Sequence, residues 1–153
     1  MEEILGNIYS LLDSLYGKPL SEYLWGYNCE SQEYSGDLIY NQIGVIAIVF
    51  AIIVPPFYYY VWNPVRRQQL KYWGLMVVTA LVNFLIAFFM ISSDYENGLI
   101  GDCLLYDNNG NPVMDQTNIM MFGFVNALFT AVLFFGFSMI YKWKSKAVKY
   151  YPF

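Results

Sequence analysis

The chain contains no histidine, and it carries 8 Lys and Arg against 12 Asp and Glu. Without an imidazole, His-based acid-base catalysis and ordinary haem ligation fall away, leaving only a thiolate or Met ligand as a formal remainder. No Gly-rich phosphate loop, Ser/His/Asp set or repeated cysteine pair occurs either. Three long runs, 43–62, 73–91 and 119–141, hold no Asp, Glu, Lys, Arg or His at all. A membrane enzyme or proton carrier needs ionisable groups inside its bundle. The expectation is therefore a protein that is not an enzyme, with no cofactor and no metal.

What is abundant is apolar: 58% of the 153 residues are hydrophobic and 13% charged, too apolar for a soluble domain. At about 1.5 Å per residue, each charge-free run is long enough for a hydrocarbon core of about 30 Å. Cations near the ends of spans stay cytoplasmic. Arg66, Arg67 and Lys71 lie between the first two runs, and Lys142, Lys144, Lys146 and Lys149 follow the third. These seven are the expected cytoplasmic anchors, and Lys18 is the only other cation. Every acid falls in the complementary segments, 2–37 and 94–115, which agrees with that placement although acids orient weakly.

The expected fold class is an all-α integral membrane protein of three transmembrane helices, amino terminus outside and carboxyl terminus inside. It forms one membrane domain over 1–153, with an extracytoplasmic tail at 1–40 and spans at 43–62, 73–91 and 119–141. A cytoplasmic turn at 63–72, an outer loop at 92–118 and a cytoplasmic tail at 142–153 complete it. Met1-Glu2-Glu3 is acidic where a signal peptide needs positive charge, and no sufficiently long apolar core follows. The first span is thus expected to export its own tail.

In that tail, Ile4, Ile8, Leu11, Leu12 and Leu15 recur at three- and four-residue steps, which predicts an amphipathic helix over 2–16 that ends near Gly17 with Pro19 as a stop. Its apolar face is expected to pack on the protein's own outer loop or to lie at the lipid surface; a docking helix for a partner is the sharper alternative. The stretch 20–40, with Tyr23, Trp25, Tyr27, Tyr34 and Tyr40, is too polar to span and too aromatic for a free linker. A small ordered lid is expected there. Cys29 and Cys103 both fall in outer segments, where a disulfide is permitted; two free thiols are the alternative.

Pro55 and Pro56 each remove an N–H from the first span, which predicts a kink or an early helix end. Tyr58, Tyr59, Tyr60, Trp62, Tyr72, Trp73, Tyr141 and Trp143 form the expected inner aromatic belt. Asn83, with Thr79 on the same face, matches Asn126 and Thr130 in depth, so an interhelical hydrogen bond is expected between the second and third spans. Gly123, Ala127 and Ala131, and in the first span Ala47 and Ala51, give small residues at four-residue steps that allow close helix contact. In the outer loop, 103–106 and 112–114 flank an Asn/Gly turn that reads as a β-hairpin. Asp107, Asn109 and Asn111 alternate like calcium ligands, but the loop lacks a Gly at its sixth position and a Glu at its twelfth.

These features point to a plasma-membrane protein, of the bacterial inner-membrane kind, that acts through protein–protein contacts. It would serve as an accessory subunit of a membrane complex or as a protective, immunity-type protein that occludes a toxin or phage component. The expected partners are the lipid bilayer and other membrane proteins or further copies of the chain, with no nucleic acid. The alternative is a small oligomeric ion channel or pore-forming effector, in which Asn83, Asn126 and Thr130 line a pore and the acidic cap concentrates cations.

Overall fold

Runs as rich in Ile and Val as 43–54 would favour strands in water, but in lipid every backbone N–H must find its partner within the segment, and a helix does this. A computed structural model describes residues 2–29, 31–34, 38–62, 68–107 and 109–144. Among them, three helices are long and apolar enough to cross a membrane: Ile39–Val61, Gln69–Glu96 and Gln116–Lys142. They arise from α4 (Ile39–Pro56) and the π-helix that continues it (Phe57–Trp62), from α5 (Gln68–Glu96), and from α7 (Gln116–Lys144). Each extends beyond the charge-free run that announces it, because the backbone ladder continues through polar ends once it has been nucleated. The anchors Arg66, Arg67, Lys146 and Lys149 lie outside the described residues.

The third spanning helix is the centre of the bundle. α7 packs along both α5 and α4, whereas α4 and α5 touch each other less. Its start is fixed by Asp115, whose Oδ1 accepts the backbone N–H groups of Thr117 and Asn118 at 3.0 and 3.2 Å, while Asn118 Oδ1 accepts the N–H of Asp115 at 3.1 Å. This reciprocal cap satisfies donors that a helix start otherwise leaves open, and it sets a negative charge at the positive end of the helix dipole.

The amino-terminal segment divides where one helix was expected. α1 (Glu2–Ser10) and α2 (Asp13–Tyr16) are separated by a tight turn in which the Leu12 N–H donates to the Tyr9 carbonyl at 2.9 Å. Pro19 is not a stop. Gly17, at φ 93°, turns the chain in a region that L side chains avoid, and Pro19 then sits in the first turn of α3 (Lys18–Leu24), where its missing N–H costs nothing. β1 (Tyr27–Asn28) and β2 (Glu33–Tyr34) follow as a short antiparallel pair with Tyr27 opposite Tyr34.

In the outer loop the expected β-hairpin is corrected. Residues Asp102–Leu105 form a helical turn, α6, and the pairing is reduced to one bridge between Tyr106 and Pro112. An apolar run of this length does not separate strand from helix by periodicity. Here the burial of Leu104 beneath α3 selects the helical turn. The chain reversal remains, closed by Asp107, whose backbone N–H donates to the Asn111 carbonyl at 2.9 Å.

Two buried clusters hold the molecule together. At the cap end, Tyr9, Tyr16, Tyr40, Phe122, Leu20, Ile91 and their neighbours join the tail, the outer loop and the helix ends. At the opposite end Tyr58 meets Tyr59 and Tyr72 edge-on and Tyr72 meets Phe134 at a tilt, with Tyr141 beside them. The α-helical part of the first span ends at Pro56, as two missing N–H groups require, yet the chain continues helically as the π-helix. That π-helix delivers Tyr58 and Tyr59 into the second cluster. Lys142, one of the expected cytoplasmic anchors, is buried near the end of α7 and lines a small cavity with Tyr59, Tyr72 and Ser138.

Gly123 is the contact point of α7 with α5. A Cβ built there lies 2.9 Å from the Phe84 ring and 3.4 Å from the Phe84 carbonyl oxygen. Gly123→Ile should overpack this contact and cost about 1–3 kcal/mol. The expected result is a lowered thermal midpoint in detergent; an unchanged midpoint would mean that the two helices do not meet at Gly123.

Candidate functional site

The polar residues of the two longest helices converge at mid-bundle. Asn126 lies about 15 Å along α7 from its start, and its Nδ2 donates to the backbone carbonyl of Asn83 at 3.0 Å. Thr130 Oγ1 donates to the Asn126 carbonyl at 2.8 Å, and Asn83 Nδ2 donates to the Thr79 carbonyl at 3.1 Å. Asn83 and Thr130 are fully buried and Asn126 is 1% exposed. The expected depth match therefore brings these residues together, although the bond runs from side chain to backbone and not between two amides. Asn83 Oδ1 has no donor among the described residues.

The other end of the Asn126 amide is occupied by a residue that sequence reasoning missed. Tyr9, on α1, points its ring between Phe122 and Phe129, at 5.5 and 5.2 Å between ring centres, and its hydroxyl donates to Asn126 Oδ1 at 2.6 Å. Gly44 on α4 admits α1 at this point, since a Cβ there would lie 2.9 Å from Leu5 and 3.4 Å from Tyr9. One amide thus joins α7, α5 and α1.

A second set of hydroxyls fastens the tail from above. Tyr16 Oη donates to the Tyr9 carbonyl at 2.9 Å and lies 2.7 Å from Tyr40 Oη, whose proton is the one left for that bond. Tyr40 Oη also lies 3.0 Å from Ser21 Oγ, within hydrogen-bond distance. The Tyr16 carbonyl accepts from Asn118 Nδ2 at 2.8 Å, and Tyr23 Oη donates to Asp94 Oδ2 at 2.9 Å. Burial pushes the phenols of Tyr16 and Tyr23 above their ordinary range, and for Tyr23 the bond to the Asp94 carboxylate adds to the shift.

Recognition of this network was available in one signal. Leu5, Tyr9 and Tyr16 recur at four and seven residues, a second stripe beside the one formed by Ile8, Leu11, Leu12 and Leu15. The stripe with Tyr9 is buried; the other faces outward, with Leu11 80% exposed. Of the two expected placements of the Leu/Ile stripe, on the outer loop or at the lipid surface, its outward orientation fits the second. Two apolar faces share one short segment, and periodicity alone does not tell which of them meets protein.

Among the remaining expected positions, Cys29 and Cys103 are joined as a disulfide with Cα atoms 6.0 Å apart. Gly101 lies directly against Cys29 Sγ, where a Cβ would collide. Ala47 and Ala51 are fully buried. Ala127 and Ala131 line an apolar groove of about 150 Å³ with Met76, Ala80 and Phe84 of α5. The Asp107 carboxylate is occupied by its own turn: Oδ1 accepts the backbone N–H groups of Asn109 and Asn111 at 2.7 and 2.9 Å, and Oδ2 accepts Asn111 Nδ2 at 3.2 Å. These bonds, led by those from Asn111, hold its carboxyl below the usual range. They also leave the carboxylate little capacity for an ion.

The chain matches no protein family model, no curated protein and no solved structure.

Tyr9→Phe removes the phenol that donates to Asn126 Oδ1. Stranding a buried acceptor costs about 1–3 kcal/mol in water-soluble proteins, and measured interhelical bonds in membranes average about 0.6. The loss should be local. Amide hydrogen exchange in α1 is expected to accelerate while α5 and α7 stay protected, and unchanged exchange in α1 would remove Tyr9 as the pin. A pH series tests the upper network. Because folding raises the Tyr16 and Tyr23 pKa values, the stability they contribute is complete below the unfolded phenol value of about 10 and is lost as pH rises above it. Tyrosinate absorbance should show a late phase above pH 10 that coincides with loosening of the cap; a single phase at the ordinary value would contradict this.

Proposed function

We propose that the chain is a non-enzymatic, multi-pass protein of the plasma membrane, of the bacterial inner-membrane kind, that works through contacts with other membrane proteins. It serves as an accessory subunit of a membrane complex or as a protective, immunity-type protein that occludes a toxin or phage component at the bilayer. The observation that carries this reading is the inward turn of the midplane polar groups. Asn83, Asn126 and Thr130 are buried in one protomer and bonded to neighbours in it. A pore built from several copies would need those groups on the outside of each, so their burial weighs against the channel alternative. What each copy offers its surroundings instead is an apolar span surface and an acidic, disulfide-fastened cap.

The cap is placed outside and the carboxyl terminus inside. Support comes from the cations gathered in 66–71 and 142–149, and from the Cys29–Cys103 bond, which forms in an oxidising compartment.

Purification in mild detergent tests both parts. The chain should run as a monomer that copurifies with other chains, and a stable symmetric oligomer would overturn the reading in favour of the channel. For orientation, a cysteine introduced in the tail should react with an impermeant maleimide in intact cells, and one at Gln68 only after lysis. Labelling at Gln68 in intact cells would reverse the topology.

A further inference from the structure

The outward stripe of the tail, Ile8, Leu11, Leu12 and Leu15, is exposed, and its depth can be read from what the opposite face of the α1–α2 segment touches. α7 is 29 residues long, about 43 Å, so a hydrocarbon core of about 30 Å centred on it begins about 7 Å from Gln116. Tyr9 reaches between Phe122 and Phe129 and bonds Asn126, well inside that boundary. The Tyr16 carbonyl bonds Asn118, in the first turn of α7, and α1 meets α4 at Gly44, about 8 Å along that helix. The α1–α2 segment therefore lies level with the hydrocarbon boundary, not above it.

The geometry points to α1 and α2 as an interfacial element embedded in the cap-side leaflet, with Ile8, Leu11, Leu12 and Leu15 against lipid acyl chains. This rests on the three helices spanning the membrane and is independent of which partner the protein serves. Two observations select lipid as the occupant. The stripe belongs to a segment docked on α4, whose Val45, Val49, Ile52 and Ile53 are exposed at bilayer depth, so it continues a surface that lipid already covers. The charged residues of segment 2–17 are Glu2, Glu3 and Asp13, with no cation to bind anionic headgroups. Lys18 follows directly at the start of α3, but a single cation beside three acids leaves insertion driven chiefly by apolar area, unlike that of the basic amphipathic helices that read surface charge.

Nitroxide labels on single introduced cysteines at Ile8, Leu11 and Leu15 test this in phosphatidylcholine vesicles, because the native cysteines are bonded to each other and do not label. Val49 serves as the lipid reference and Asn109, at the tip of the outer turn, as the water reference. Labels on the stripe should collide severalfold more with oxygen than with a water-soluble nickel chelate, as at Val49, and should keep that ratio when anionic phosphatidylglycerol is added. Collision ratios like those at Asn109 would overturn the proposal in favour of a water-facing stripe. Immobilised spectra with dipolar broadening that grows with labelled protein per vesicle would overturn it in favour of a second copy. A depth that changes with phosphatidylglycerol would overturn the acyl-chain assignment.

Discussion

An amide placed in hydrocarbon is costly unless the protein satisfies it at both ends, and Asn126 is satisfied by reaching in two directions. Its nitrogen takes the Asn83 carbonyl and its oxygen takes the Tyr9 phenol. The first bond registers α5 on α7; the second draws the amino-terminal helix down onto the bundle. Gly44 and Gly123 are small because these two approaches are close. The cap is consequently not a soluble module carried by a membrane anchor. It shares a buried cluster with the spans, from Tyr16 and Leu20 through Tyr40 to Phe122 and Ile91.

The two ends of the bundle solve the same interfacial problem differently. At the cap end, phenols are threaded into hydrogen bonds, and Tyr16, Tyr40 and Ser21 form a continuous line of hydroxyls. At the other end the rings of Tyr58, Tyr59, Tyr72 and Phe134 pack chiefly edge to face, an arrangement the quadrupoles of aromatic rings favour. The prolines of the first span contribute to this second arrangement, because the wider helix after Pro56 is what carries Tyr58 and Tyr59 inward.

Much of this was legible in the residues. Charge-free runs locate the three spanning helices, and the match in depth between Asn83 and Asn126 anticipates their junction. The helix ends were less legible, because backbone hydrogen bonding continues into polar residues that hydropathy counts as loop. Tyr9 was hidden for a different reason: it shares a short segment with a more regular Leu/Ile stripe, and only tertiary contact decides which stripe is inside. The outer loop misled in a third way. The short run around Leu104 fits strand and helix equally well by pattern, and its packing beneath α3 selects a helical turn.

The Cys29–Cys103 bond, 74 residues apart in sequence, turns part of the chain into a covalent ring. That ring encloses α4 and α5 but not α7, the helix that contacts them both. A single proteolytic cut anywhere between residues 30 and 102 would therefore open the ring without releasing a fragment, and the nicked protein, heavier by one water, would stay one molecule until reduced. A cut between 103 and the start of α7 would instead free the central helix, covalently if not by packing. The bundle thus has one covalently redundant half and one strap on which its assembled state hangs.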